Sequence, residues 1–480
     1  MPFKIVILWT DALIYLLILV IALLVWHVRR HEHLAAPWQK VARSPSGMSA
    51  ATVLALFIAI GIADSLHYRA AVSVMDGKTV YSVEVLSVLD AIAAPLRLRK
   101  EKTYSAPLAA HLYAKETIDL ADGRQVRDFP RLKHGGAHLD HPEIDLAPDV
   151  ARRALRGIAA GAVLWIVLVT LVCAVLARRE ATGMDAAWRA VWRGETRVPW
   201  RAVLVTLGVM LAVGAPLLAL AAKYHVLGTD KVGQDVLYQS LKSIRTGLVI
   251  GTLTTLVMLP FALLLGVMAG YFKGWVDDVI QYLYTTLSSI PGVLLIAASV
   301  LMMQVYIETH PELFDTVTAR ADLRLLFLCV ILGVTSWTGL ARLLRGEALK
   351  LREMEYIQAA HAFGVSHWRI LTRHILPNVM HIVMIALVMD FSGLVLAEAV
   401  LSYVGVGVDP TTISFGTMIN SARLEMARDP MVWWSLAAAF FFMLVLVLSA
   451  NLFADAVRDA FDPRMRAARP FRLVAQKSVT

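Results

Sequence analysis

Cysteine is nearly absent. Cys173 and Cys329 are the only two, and each lies inside an apolar run, so no disulfide framework organises the chain. Charge is scarce as well, at 17% of residues, against about a quarter in a typical soluble domain. The net charge of +9 does not point to nucleic acid, because arginine and lysine gather in short loops between apolar runs, where membrane topology already explains them. A phosphate-cradling glycine loop is missing too. The chain's Gly-Lys pair, Gly77-Lys78, is followed by Thr79, but Val72 stands where that motif needs glycine. No small-residue cleavage site follows the first apolar run, Ile5 to Val28, which is also too long for a secretory leader and is expected to stay as a helix.

What is abundant is apolar surface: 58% of residues are hydrophobic and the mean hydropathy is +0.63. Nine runs long enough to cross a bilayer are expected, at about 5–28, 49–66, 157–177, 202–222, 247–270, 280–304, 324–341, 379–402 and 431–453. The fold class is therefore an all-α polytopic membrane protein. With nine crossings, the arginine-rich stretches HVRRHEHLAAPWQKVAR, ARREATGMDAAWRAVWRGETRVPWR, the loop 342–378 and the tail VRDAFDPRMRAARPFR share one side, the cytoplasmic one, leaving the N-terminus outside and the C-terminus inside. Arg152, Arg153 and Arg156 dissent, but they end a long segment, and long segments translocate largely regardless of charge. That segment, 67–152, carries Asp76-Gly77 and Asp122-Gly123 between strand-like runs and is expected to form a small β-rich external domain. The remaining division is two spans in 1–66, a third span and basic loop in 153–200, six spans in 201–466 and a cytoplasmic tail at 467–480.

The loop 342–378 is polar where the rest is not. GEALKLREMEYIQAAHAF predicts a helix over about Gly346–Phe363; Gly364 suits a left-handed cap, Ser366 could cap the next short helix, and Pro377 would stop it. Ala359, Ala360 and Gly364 leave that elbow without bulk, with Met354, Ile357 and Phe363 as apolar contacts. Two readings fit the pattern: a surface that another protein approaches closely, or an amphipathic helix on the headgroups anchored by arginines and Trp368.

EYIQAAHAFGVSHWRILTRHILPN, starting at Glu355, resembles the EAA loop of ABC importer permeases, in the version of the peptide and nickel branch. Gln358-Ala359-Ala360, Gly364 and Leu376-Pro377 occupy the motif positions, with Gln358 for the usual glutamate and His374 for isoleucine. Three further segments resemble the same branch. VLGTDKVGQDVLYQSLKSIRTGLVIG matches its external Gly-Thr-Asp segment at Gly228, Thr229, Asp230, Gly233 and Asp235, with Gln234 in place of arginine; LAEAVLSYVGVGVDPTTISFGTMINSAR and NLFADAVRDAFDPRMR match the other two. Together they cover about residues 200–466. The resemblance implies a six-helix permease core whose loop couples to a separate ATPase, which binds ATP and Mg, so this chain needs no cofactor and is no enzyme. It also implies a second homologous permease subunit, a periplasmic substrate-binding protein, and a place in the bacterial inner membrane. Oligopeptides, dipeptides or a chelated metal are the cargo it suggests, peptides first. The first 200 residues depart from the pattern.

Other features are weaker. Asp390, within the eighth span, reads as pathway lining or as an interhelical hydrogen-bonding group, and Glu398 as a second pathway candidate or an interfacial acid. His134, His138 and His141, with Asp140 and Glu143, offer metal-ligand types, although Gly135-Gly136 argues against a helix that would align them, and no metal site is expected. Pro260 and Pro291 interrupt two spans. An ion-driven secondary transporter is the alternative function; the chain, however, lacks an evident internal repeat.

Overall fold

The computed structural model describes residues 3–75, 78–119, 125–181, 183–310 and 316–461. Among them nine helical stretches are long and apolar enough to cross a membrane. Strand β1 (Phe3–Val6) precedes helices α1 (Trp9–Arg29), α2 (Glu32–Val41) and α3 (Pro45–Ser65). The segment expected to be external follows, with β2 (His67–Met75), β3 (Lys78–Tyr81), β4 (Leu86–Ser87), the short helices α4 (Val88–Ile92) and α5 (Ala94–Leu98), and the pair β5 (Glu116–Asp119) and β6 (Gln125–Asp128). Then come α6 (Pro142–Arg179), α7 (Met184–Arg193), α8 (Trp200–Ala221), α9 (Val236–Phe272), α10 (Gly274–Ser289), α11 (Gly292–Thr309), α12 (Val317–Ser336) and α13 (Thr338–Arg352). The last are α14 (Glu355–Ala362), α15 (His367–Ile370), α16 (Leu376–Val404), α17 (Phe415–Glu425) and α18 (Trp434–Phe461).

Several expectations shift. The first span starts at Trp9 rather than Ile5, because Phe3–Val6 pairs antiparallel with β2, from Phe3 opposite Ala70 to Val6 opposite His67. The helix of the third span, α6, starts at Pro142, so Arg152, Arg153 and Arg156 lie within it. The expected sixth span, 280–304, is divided: Ile290 is extended ahead of Pro291, and the chain re-enters a helix only at Gly292. Pro260, by contrast, sits inside α9 without breaking it. The external segment holds a four-stranded sheet, to which the N-terminal strand contributes, and the separate β5–β6 pair. Met75 pairs with Lys78, and Asp119 with Gln125. The Asp76-Gly77 and Asp122-Gly123 turns themselves lie outside the described residues.

Helix α9 is the axis of the bundle. Its buried face meets α12, α13, α16 and α18, and α3 wedges between α9, α8 and α18. Near its C-terminal end Gly266 and Gly270 bring it against the α13 backbone: a Cβ on either would stand 2.7 and 2.5 Å from Ala341 O and Arg345 O, respectively. Such close approach through small residues is how helices associate where lipid removes the hydrophobic drive. The added N-terminal helices do not hang loosely. Leu13 and Ile14 of α1 pack against the cluster that holds Leu325 and Leu328 of α12, and Phe57 of α3 shares a core cluster with Ile244 of α9.

Candidate functional site

At the C-terminal end of α9 the polar loop forms an elbow. The helix expected over Gly346–Phe363 is two helices, since the chain breaks at Glu353–Met354, where Met354 is extended with ψ 139°. Helix α14 ends as foreseen at Gly364: Val365 N–H donates to Ala360 O (3.0 Å) and Gly364 N–H to His361 O (3.0 Å), with Gly364 at φ +72°. This double closure needs a left-handed residue, which favours glycine. A Cβ on Gly364 would meet nothing within 4 Å, so the elbow is open to a neighbour. Ser366 occupies a cap position but its hydroxyl caps nothing. Pro377 starts α16 instead of stopping a helix: the π-helical turn Leu371–Ile375 widens the backbone just before it, at the first turn where proline's missing N–H costs least.

The elbow is pinned from beneath. Ile357, Ile370, Ile375 and Val379 are wholly buried against Leu344 and Ala348 of α13 and Tyr271 of α9. The Tyr271 hydroxyl lies 2.9 Å from His361 Nε2 and 2.7 Å from His367 Nδ1, and Arg352 Nη1 donates to Tyr271 O at 2.9 Å. Arg345 grips Asp277 of α10 with two 2.7 Å bonds. The elbow is therefore in contact with α9, α13 and α16, and through α13 with α10. Outward, the loop presents what the membrane core does not need: Phe363 is 87% exposed and Trp368 71%. Glu355, Gln358, Ala359 and Pro377 are exposed, while Ala360 and Leu376 are half-buried. Of the expected apolar contacts, Ile357 turns inward as an anchor, and Met354 and Phe363 face out.

The external motif residues build a second constellation. Asp235 caps α9, its Oδ1 accepting from Leu237 and Tyr238 N–H (2.8 and 3.1 Å). Its Oδ2 lies 2.7 Å from His225 Nδ1, and His225 Nε2 is 3.4 Å from Glu101 Oε1. Asp230 Oδ1 accepts from Val232 and Gln234 N–H, and Thr229 bonds Ser105 and Thr103. Gly228 is held beneath Trp434, whose Nε1 donates to Thr229 O at 3.0 Å. Gly233, at φ +72°, lies so close to the chain at Glu101 that a Cβ would sit 1.9 Å from its carbonyl oxygen. The motif thus seats the stretch around Glu101–Ser105 on the core.

Burial alone would lower the basicity of His225, but Asp235 and Glu101 outweigh it and raise its pKa to about 9. Burial would raise Glu101; His225 and the N–H groups of Gly135, Lys133 and His134 bring it down to about 2. Because the histidine is raised from 6.5, its contribution to this seat is complete below pH 6.5 and lost as the pH climbs through about 9. The Glu101 contribution is complete above pH 4.5 and lost as the pH falls through about 2. The two shifts share one interaction and are not additive. Hydrogen exchange of residues 101–135, corrected for intrinsic rates, should accelerate between pH 6 and 9.5 by up to about a hundredfold. His225→Gln should be fast at both values.

Sequence reasoning missed the stripe Tyr238, Lys242, Arg245 on α9, whose helical spacing aligns with Asp235. Lys242 Nζ reaches Asp64 Oδ1 of α3 (2.6 Å) and Asp90 of α4 (3.1 Å), and the Tyr238 hydroxyl donates to Asp90 (2.7 Å). Arg245 donates to Asp11 (2.6 Å) and Thr10 (3.0 Å) of α1 and to Ser65 (3.2 Å), while Asp11 also meets His67 at 2.7 Å. The only signal was the presence of ionisable residues at span edges.

The three histidines do not converge. His138 Nε2 is 2.9 Å from Asp149 and 3.1 Å from Arg153, His134 offers its backbone N–H to Glu101, and His141 precedes α6. Glu398 and Asp390 also part company. Glu398 is buried beneath α17, accepting from Ser402 (2.6 Å) and Ser414 (2.9 Å), whereas half-buried Asp390 lines a cavity of about 530 Å³ between α9, α12–α13 and α16.

Nine candidate spans among the described residues, a seated segment between the second and third of them and a pinned polar elbow define a multi-pass helical membrane protein. The family described as binding-protein-dependent transport system inner membrane component matches residues 262–467, which include the elbow. The chain is 33% identical to the oligopeptide transport system permease protein OppC of Mycobacterium bovis over 245 residues, 51% of this chain and 78% of that one. It is 32% identical to the glutathione transport system permease protein GsiD of Pectobacterium atrosepticum, over 51% and 74% of the two chains. It is 26% identical to the dipeptide transport system permease protein DppC of Lactococcus lactis, over 67% and 92%. The chain belongs to this family, as an inner-membrane permease of the peptide branch of ABC importers, and the ion-driven alternative falls away.

Proposed function

We propose that this chain carries peptides across the bacterial inner membrane as one permease subunit of an ATP-driven importer, with its loop 342–378 seated on a separate ATPase. The observation that carries the reading is the elbow at Gly364, open outward and pinned inward to α9 and α13. The names of the relatives support oligopeptides or dipeptides as cargo. ATP and Mg belong to the partner in this reading, consistent with the missing glycine loop. The remaining partners are a second homologous permease and a periplasmic binding protein, which captures the cargo. The N-terminus and external segment face the periplasm, the elbow and C-terminus the cytoplasm, which agrees with the arginine bias and with β1 joining the sheet of the external segment. Glu355, Gln358, Ala359, Ala360, Gly364, Leu376 and Pro377 form the docking surface or its base; Asp390 lines the pathway.

ATP binding would draw two such loops together and swing the core helices between inward-open and outward-open states, hydrolysis then resetting them. The test is uptake of a radiolabelled tripeptide into vesicles holding the assembled complex. Uptake should require ATP and be insensitive to collapse of the proton gradient. Uptake by this chain alone, driven by an ion gradient, would refute the reading.

A further inference from the structure

Asp390 stands midway along α16, with about 14 residues on either side, which at 1.5 Å per residue is roughly 20 Å of helix each way. A carboxylate at such depth is unfavourable by about 2.5–3.5 kcal/mol on insertion scales and persists where it lines a polar cavity or meets a cation. Among the described residues Asp390 has neither a hydrogen-bond nor an ion-pair partner. The cations of the neighbouring helices are committed elsewhere: Lys242 and Arg245 to the outer carboxylates, Arg345 to Asp277, and Arg342 to Ser288 and the face of Tyr284. The carboxylate therefore waits for a cation that its own helices do not supply.

The cavity it lines, 530 Å³, is the size of a small-molecule site and much larger than one ion with its water. Asp390 is the one ionisable residue of its lining, whose other walls are apolar or small, with Ser336, Gly339 and Gly393 leaving room and Met258 and Met389 offering adaptable thioethers. A bare divalent metal would need several hard ligands, which this lining lacks. One negative charge in a roomy, adaptable apolar chamber suits an organic molecule with one ammonium group and variable apolar substituents. We propose that Asp390 receives the free α-amino group of the peptide in transit and so selects cargo with an unblocked N-terminus. This rests on the peptide-importer reading above.

Two measurements separate the inference from that reading. The first is uptake of trialanine and of N-acetyl-trialanine by cells producing the importer. The wild type should prefer the free peptide, and Asp390→Asn should cut that preference by about tenfold, through KM. The second needs no cargo: Ser336→Cys, with Cys173 and Cys329 replaced by serine, is labelled by 2-aminoethyl and by 2-sulfonatoethyl methanethiosulfonate. The cationic reagent should react about tenfold faster relative to the anionic one when Asp390 is present, and the ratio should fall toward unity with Asp390→Asn. A high ratio without uptake of either peptide would sink the peptide reading and leave the cation-selective chamber standing. Equal uptake of both peptides by the wild type, or a labelling ratio indifferent to Asp390, would overturn the inference. So would loss of co-purifying subunits in Asp390→Asn, which would assign the carboxylate to a subunit interface.

Discussion

Gly364→Trp should abolish ATP-driven uptake, by about a hundredfold or more, while the chain still inserts and keeps its outer domain seated; a hundredfold corresponds to about 2.8 kcal/mol of docking. The position is exposed, nothing lies within 4 Å of where a Cβ would point, and its φ of +72° closes the end of α14. A side chain there starts into open space rather than into this chain's packing, so its bulk meets whatever approaches from outside. Strain is the competing explanation, because a non-glycine residue in the left-handed region is disfavoured by about 1–2 kcal/mol. Gly364→Asn separates the two: asparagine tolerates that backbone yet adds bulk, and it should reduce uptake less than tryptophan while preserving the elbow. Measuring uptake together with peptide-stimulated ATPase activity decides the matter. Wild-type transport by the tryptophan variant would show that nothing docks there.

The second large effect is on stability. Arg245→Ala removes the cation that joins Asp11 and Thr10 of α1 to Ser65 of α3, with Asp322 of α12 3.8 Å away. Thr10 also bonds Asp322, through its N–H at 3.1 Å and through its hydroxyl. Truncating one partner of a buried ionic cluster leaves the others uncompensated, typically at about 3–5 kcal/mol. The variant should lose its extraction-resistant fold at a temperature several degrees lower. Adding Asp11→Asn should restore part of the loss, since the double change removes both signs. Strict additivity of the two substitutions would argue that the contact is peripheral.

How much of this could be read in the residues depends on the kind of signal. The number of spans was legible because lipid imposes a length on apolar runs, and Gly364 was legible because few backbones demand a left-handed residue just after EYIQAAHA. The helix boundaries were less so. Proline at 291 breaks, at 260 is absorbed, and at 377 begins a helix, depending on the turn before it and on what packs around it. The elbow's supports, Tyr271 with His361 and His367, are 90 and 96 residues apart in sequence, and no local pattern joins them. The same holds for the N-terminal helices: Asp11 and Asp64 look like span-edge charges until Arg245 and Lys242 are found beside them. Glu398 and Asp390 share a helix and a chemistry, yet burial beneath α17 makes one a structural acceptor and leaves the other facing a cavity.

The most direct test places a photoreactive amino acid at Phe363, the residue of the elbow that stands 87% exposed. Irradiated in cells, it should yield one covalent adduct with an ATP-hydrolysing subunit, and its amount should change when nucleotide is depleted. Adducts with lipid alone would mean that the elbow lies on the bilayer, and the coupling account would fail.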